Sequence, residues 1–206
     1  MNIVFDFGGV LFNWHPPRLF ARVWPHRVAD ETQGREVALQ FFENYGGDWG
    51  AFDQGLIGMD EVVSRIAVRT GWSEAEVRQV AEAAAGELSL RADTVALIEE
   101  LKRAGHRLFF LSNMPGPLAD HLERTHPLHE WFEAGVFSSR VQQVKPGAEI
   151  FATAVSHFGV PAESLVFLDD HPANIAAARN LGWQAIQFSD AAQARNELVQ
   201  LGLVRV

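Results

Sequence analysis

The chain contains no cysteine. That removes thiolate nucleophiles, cysteine-ligated zinc and disulfide frameworks at a stroke, and it fits a reducing compartment. Long apolar runs are missing too. No stretch is long enough to span a bilayer. The N-terminal MNIVFDFGGVLF has no basic segment ahead of its apolar residues and carries an acid within them, unlike a secretory leader. A cytoplasmic location is the expectation. Basic residues are scarce, 17 lysines and arginines against 26 acids, for a formal net charge of −9. Such a surface repels polyanions, which argues against nucleic-acid and anionic-membrane partners. A small anionic substrate stays open, because a local metal ion or lysine dominates the field inside a pocket.

What is present is ordinary globular material: 206 residues, 48% hydrophobic and 21% charged. A chain of this size buries roughly 70% of its unfolded surface and needs no covalent staple. Four short apolar runs read as buried strands: Ile3–Phe5, Leu108–Leu111, Leu165–Leu168 and Ala185–Phe188. A weaker one covers Gly135–Phe137. Amphipathic segments alternate with them at 94–104, 116–124, 148–158, 173–181 and 191–201, several closed by a glycine. Strand–helix alternation of this kind predicts an α/β fold, a doubly wound, Rossmann-like parallel sheet. One interruption falls after the first strand, where helical patterns cover 17–28, 36–44, 59–70 and 73–85. The last opens on Ser73 with Glu76 three residues on, a capping box. The expected organisation is a core of residues 1–15 and 87–206 with a helical cap, 16–86, inserted into it.

Ligands of open α/β sheets bind at the carboxyl ends of the strands. The polar residues just beyond the apolar runs are Asp6, Ser112-Asn113 and Asp169-Asp170, and Lys145 lies in the loop after the weak strand. Together they offer hard oxygen ligands for Mg²⁺, a carboxylate nucleophile and groups able to hold a phosphate. Each has a plainer reading alone. Asp169-Asp170 could cap the helix that starts near Pro172, Ser112 could be a turn residue, and Lys145 could be solvated.

FDFGGVL at 5–11, LSN at 111–113, Lys145-Pro146 and FLDDHPANI at 167–175 resemble, in order, the four signature motifs of the haloacid dehalogenase (HAD) superfamily. The likeness runs the length of the chain, and the helical insertion falls where that family carries its C1-type cap. The resemblance implies a phosphatase acting on a small phosphorylated metabolite. Asp6 would attack phosphorus to give an aspartyl-phosphate. Ser112, with the Asn113 backbone, would bind the phosphoryl oxygens, and Lys145 would bridge phosphate and nucleophile. Asp6, the carbonyl of Gly8 and Asp170 would ligate Mg²⁺, with Asp169 ligating it or orienting a bound water.

One position departs from the pattern. Family phosphatases usually carry a second aspartate two residues after the nucleophile, as general acid and base; here that residue is Gly8. Three explanations stay open. A neighbour, His15 or His171, takes over. Or the leaving group departs unaided, as from a sugar 1-phosphate such as glucose 1-phosphate or from an acyl phosphate. Or the protein is a catalytically weak binding or regulatory module. The Asp-x-Gly-x-Val form resembles a branch that includes bacterial glucose-1-phosphate phosphatases, and the sequence also resembles the phosphatase-like domains joined to epoxide hydrolases. A 2-haloacid dehalogenase on the same scaffold is the enzymatic rival, needing no magnesium. The glycines of FDFGGVLF lack the G-x-G-x-x-G spacing of a nicotinamide site. Most of the many aromatics between Trp14 and Trp72 are expected in the core of the insertion. Trp14, Tyr45 and Trp49 are candidates to face the cleft, with GGDWG at 46–50 read as a flexible substrate-facing loop.

Overall fold

A computed structural model describes residues 1–204. Five parallel strands form one sheet in the order β3-β2-β1-β4-β5, with β1 Asn2–Phe5, β2 Arg107–Ser112, β3 Ala134–Phe137, β4 Leu165–Asp169 and β5 Gln184–Gln187. β1 is central and pairs with β2 on one side and β4 on the other, so strand order reverses there. That reversal opens a crevice at the carboxyl ends. The register brings Phe5 level with Phe110 and Leu168, and the Asp6 amide donates to the Leu168 carbonyl at 2.9 Å. Successive residues face opposite sides of the sheet. Ile3, Phe5, Leu108, Phe110, Val166 and Leu168 build the larger core, while Val4, Phe109, Leu111, Leu165 and Phe167 build the other. The weak apolar run is the edge strand β3. Its Gly135 leaves room for the Phe110 ring, which a Cβ there would meet at 1.9 Å.

Around the sheet lie α6 Ala92–Arg103, α7 Gly116–Thr125, α10 Ala148–Phe158, α11 Pro172–Asn180 and α12 Ala191–Gln200, each within two residues of its expected span. Two short helices, α8 Leu128–Trp131 and α9 Ser138–Val141, have no sequence signal long enough to read. Among the described residues no helix is long and apolar enough to cross a membrane.

The stretch between β1 and β2 is helical: α1 Pro16–Val23, α2 Glu31–Phe42, α3 Gly47–Asp53, α4 Met59–Thr70 and α5 Glu74–Ala83. The first is shorter than its pattern suggests, because Trp24 precedes Pro25 and is pushed out of the helical region, with φ −122°. The second starts earlier, at Asp30, whose carboxylate accepts from the Gln33 amide at 2.9 Å. The capping box is made as read, Ser73 and Glu76 each accepting from the other's amide. GGDWG is not a loop. Its residues enter α3 because burial of Trp49 against Phe41, Phe42 and Phe52 outweighs the helix cost of two glycines, about 1 kcal/mol each.

Candidate active site

At the ends of β1 and β4, one ammonium lies between two carboxylates. Lys145 Nζ is 2.9 Å from Asp6 Oδ1 and 2.7 Å from Asp169 Oδ2, with the lysine side chain 1% exposed. Asp169 is fully buried and saturated. It also accepts from the Asn174 amide nitrogen at 3.0 and 3.1 Å and from the His171 backbone at 2.8 Å. Asn113 aligns the lysine from below: its Oδ1 accepts from the Lys145 amide at 2.8 Å and its Nδ2 donates to the Lys145 carbonyl at 3.0 Å. Asn174 was not among the residues singled out from sequence, although its place one turn into the helix after Asp169-Asp170 signals it.

Burial pushes the Asp6 carboxyl up to about 7; Lys145 opposes the shift, and Asp169 and Asp170 add to it. Burial works to discharge Lys145, but the two carboxylates outweigh it and hold the ammonium above its usual range. Asp170 is also raised, by burial and then by Asp169.

Carboxylate oxygens of Asp6, Asp169 and Asp170 lie within 4.8 Å of one another. Hard oxygen donors at that spacing suit a divalent cation such as Mg²⁺. Because Asp169 is already spent on Lys145, Asn174 and an amide, the free oxygens belong to Asp6 and Asp170. The backbone makes way for them. Gly9 has φ +76°, and a Cβ there would meet Asp170 Oδ2 at 2.3 Å. Gly8 is different: a Cβ would meet nothing closer than Trp14 Cβ at 3.7 Å. Ser112 is buried beneath, and its hydroxyl has no hydrogen-bond partner among the described residues. An orphaned buried hydroxyl costs about 1–3 kcal/mol, which a phosphoryl oxygen would recover.

The cleft above these groups has a volume of about 320 Å³. Trp14, Tyr45, Leu88, Met114, Pro115 and Leu118 give it a largely apolar wall. The Trp14 indole donates to the Tyr45 hydroxyl at 2.7 Å, joining the loop after β1 to the helical insertion. Tyr45 follows Glu43 and Asn44 in a run of left-handed backbone, φ 48°, 53° and 62°. Arg69 restrains that strained run through Glu43 at 3.1 Å and Asp48 at 2.9 Å. Burial pushes the Tyr45 phenol up to about 12.

Of the other sequence candidates, Trp49 borders the cleft but is 2% exposed and packed by Phe41, Phe42 and Phe52, so little of its face is free for stacking. His171 borders it too, with Nδ1 accepting from the Ala173 amide as cap of α11. His15 caps α1, its Nδ1 accepting from the Arg18 amide, and is not among the lining residues. Sequence reasoning missed Asp53, a buried carboxyl at the end of α3 that also lines the cleft. Burial pushes it up to about 8, opposed by a hydrogen bond with Trp49. Its only signal was an acid directly after the apolar Ala51-Phe52.

A family model described as haloacid dehalogenase-like hydrolase matches residues 1–182. The chain is 26% identical over 201 residues to the sesquiterpene phosphatase astK of Aspergillus oryzae, spanning 96% of this chain and 94% of that protein. A HAD family enzyme from Bacteroides thetaiotaomicron, crystallised with magnesium and inorganic phosphate, superposes with a TM-score of 0.72 at 22% identity, covering 92% of this chain and 94% of the other. A predicted HAD-like family hydrolase from Porphyromonas gingivalis gives 0.72 at 27% identity, covering 97% of each.

Proposed function

The chain belongs to the haloacid dehalogenase-like hydrolase family, and on that premise we propose that it is a magnesium-dependent phosphatase acting through an aspartyl-phosphate on Asp6. The observation that carries this reading is the buried Lys145 ammonium held between Asp6 and Asp169 beside an open cleft. A carboxylate cannot approach a phosphate dianion without such a counter-charge. Asp6 Oδ attacks phosphorus, the ester bond breaks, and water then cleaves the acyl phosphate. Lys145 spans nucleophile and phosphoryl group, and the Ser112 hydroxyl and Asn113 amide hold the equatorial oxygens. Asp6, Asp170 and the Gly8 carbonyl would hold Mg²⁺, which neutralises charge on the transferring group. Asp169 orients Lys145. Residues 16–86 act as a cap over a core of 1–15 and 87–206, excluding water and selecting the leaving group. A cytoplasmic location goes with this reading.

Two leaving groups are supported by different features. Gly8 favours one that departs without a proton, as from glucose 1-phosphate. The apolar wall of Trp14, Leu88, Met114 and Leu118 favours a hydrocarbon alcohol, and the Aspergillus relative is named a sesquiterpene phosphatase. The test is phosphate release from sugar phosphates, nucleotides, an alkyl phosphate and p-nitrophenyl phosphate, with Mg²⁺ and with EDTA. Metal-dependent release supports the phosphatase. A 2-haloacid dehalogenase is the second reading, favoured by Gly8 alone, and halide release from a 2-haloacid in EDTA would establish it instead. Esters bound without turnover, and no halide release, would point to a binding module.

A further inference from the structure

We propose that Asp53, on the helical insertion, supplies the proton that the missing side chain at position 8 cannot. The inference rests on the phosphatase reading above and deepens it.

Removing general acid–base help slows phosphate-ester chemistry by about 10²–10⁴-fold when the leaving group is poor. A replacement must therefore border the cleft, hold a proton near neutral pH and be free of another duty. Six titratable side chains line the cleft: Asp6, Tyr45, Asp53, Lys145, Asp170 and His171. Asp6 is the nucleophile, and Lys145 is committed to two carboxylates. Asp170 lies in the cation cluster. His171 Nδ1 is occupied at the N-terminus of α11. The Tyr45 oxygen accepts from Trp14, and a phenol this weakly acidic releases no proton at neutral pH.

Asp53 borders the cleft and holds a proton, and the hydrogen bond it accepts from the neutral Trp49 leaves its second carboxyl oxygen free to carry that proton. It is 5% exposed, and no cation reaches it among the described residues. The arginines of the elements packed on α3 are engaged elsewhere. Arg69 of α4 pairs with Glu43 and Asp48, Arg65 of α4 with Glu61, Arg35 of α2 with Glu31, and Arg140 of α9 with Asp120 and Glu123. The titratable group facing Asp53 from the turn before α3 is the Tyr45 phenol, uncharged at neutral pH. An uncompensated buried carboxyl stays protonated where an exposed one would not, the environment that makes a carboxylic acid a proton donor. Its placement is also fixed from the core side. The Ser138 hydroxyl donates to the Asp53 carbonyl at 2.5 Å and accepts from the Met114 amide at 2.8 Å, next to Ser112 and Asn113. The helix bearing Asp53 is thereby tied to the loop that binds phosphate.

The step balances without a further reagent. As Asp6 Oδ bonds to phosphorus and the ester P–O bond breaks, the Asp53 carboxyl proton passes to the departing alkoxide, giving the alcohol and an Asp53 carboxylate. That carboxylate then takes a proton from the attacking water while the P–O bond to Asp6 breaks. Phosphate leaves and Asp53 ends protonated. A cleft so equipped can release an alcohol that is a poor leaving group, which suits the apolar wall better than the unaided departure of a sugar 1-phosphate.

The experiment compares n-hexyl phosphate, whose alkoxide needs a proton, with p-nitrophenyl phosphate, whose phenolate does not, using the full chain with Mg²⁺. In Asp53→Asn, kcat/KM on hexyl phosphate, which reports leaving-group departure, should fall about 10²–10⁴-fold, far more than kcat/KM on p-nitrophenyl phosphate. For wild type, kcat/KM on hexyl phosphate should decline as pH rises through about 8, with no matching decline on p-nitrophenyl phosphate. The pH profile needs no variant to fold. Gly8→Asp placed in the Asp53→Asn background should recover hexyl phosphate turnover. Parallel losses of kcat/KM on both esters, or an unchanged hexyl phosphate kcat/KM, would overturn the proposal. Absence of metal-dependent release from both esters by wild type would instead bring down the phosphatase reading, and the proposal with it.

Discussion

Replacing Lys145 with methionine keeps the packed stem and deletes only the ammonium. In the wild type that ammonium sits 2.9 Å from Asp6 and 2.7 Å from Asp169 with almost no solvent access. Removing one partner of a buried ion pair costs about 3–5 kcal/mol, chiefly because the other charge stays behind unpaired. For a chain of this size each kcal/mol moves Tm by roughly 2–4 °C, so the midpoint should drop by about 6–20 °C. The sign of the pH dependence follows from burial. Without Lys145, the folded-state carboxyl of Asp6 rises further above its unfolded value, so the folded state binds the extra proton. Stability then improves as pH falls, and the deficit relative to wild type should shrink from pH 8 to pH 5. Urea denaturation in EDTA at the two pH values measures it, and Mg²⁺-dependent turnover should be lost at both. Adding Asp169→Asn to Lys145→Met should recover part of the loss, since it removes one of the stranded charges. A deficit below about 1 kcal/mol at pH 8, or one equal at both pH values, would refute the assignment of these three groups to one coupled site.

Other substitutions test other parts of the site. Asp6→Asn should abolish turnover while leaving the circular dichroism spectrum intact, and residual activity near wild type would remove Asp6 as nucleophile. Gly9→Ala combines φ +76° with a Cβ only 2.3 Å from Asp170 Oδ2, so Mg²⁺ affinity measured by calorimetry should fall at least about tenfold. Gly8→Ala, whose nearest contact is 3.7 Å, should leave that affinity close to wild type. Asp53 makes folding take up a proton between its unfolded pKa and about 8. It should therefore cost the wild type about 1.4 kcal/mol per pH unit, or about 4 kcal/mol from pH 5 to pH 8. Asp53→Asn should lack that slope in urea titrations, and an unchanged slope would mean that Asp53 is charged throughout.

The sheet was legible because its strands are buried on both faces and so appear as uninterrupted apolar runs, bounded by residues that cannot be apolar. Asp6 and Asp169 stood out for the same reason, as polar groups at the ends of such runs, and Lys145 as the basic residue in the loop after the weak strand. What escaped was set by contacts distant in sequence. GGDWG at 46–50 is rich in glycine and reads as a loop; its entry into α3 depends on Phe41 and Phe42, from the preceding helix. Asn174 needed the three-dimensional fact that Asp169 turns inward toward Lys145. Asp53 was invisible because one acid after a phenylalanine is unremarkable until its burial is known. His15 and His171, chosen as titratable neighbours of the strand ends, both serve as helix caps, a use that sequence distance alone does not separate from catalysis.

The two halves of the cleft are built by different physics, and their junction says how they cooperate. The groups proposed for the phosphoryl centre come from strand ends, where the backbone hydrogen bonds of β1 and β4 hold Asp6 and Asp169 in one register. That floor is rigid and polar. The opposite wall comes from the insertion, whose Tyr45 lies in strained backbone and whose Asp53 ends a seven-residue helix. Among the described residues, polar ties between the two include Trp14 to Tyr45, Ser138 to the Asp53 carbonyl, and Gln54 to the Gln142 carbonyl at 2.7 Å, which involve α3, its C-terminal cap or the turn just before it. A further ion pair, Arg22 to Glu87 at 3.3 Å, ties α1 instead. A displacement of α3 would thus move the leaving-group wall and the Asp53 carboxyl together while leaving Lys145, Asp6 and Asp170 in place. Substitutions in this helix should change which ester is cleaved and how its leaving group is protonated, and substitutions at the strand ends should remove phosphoryl transfer from every ester alike.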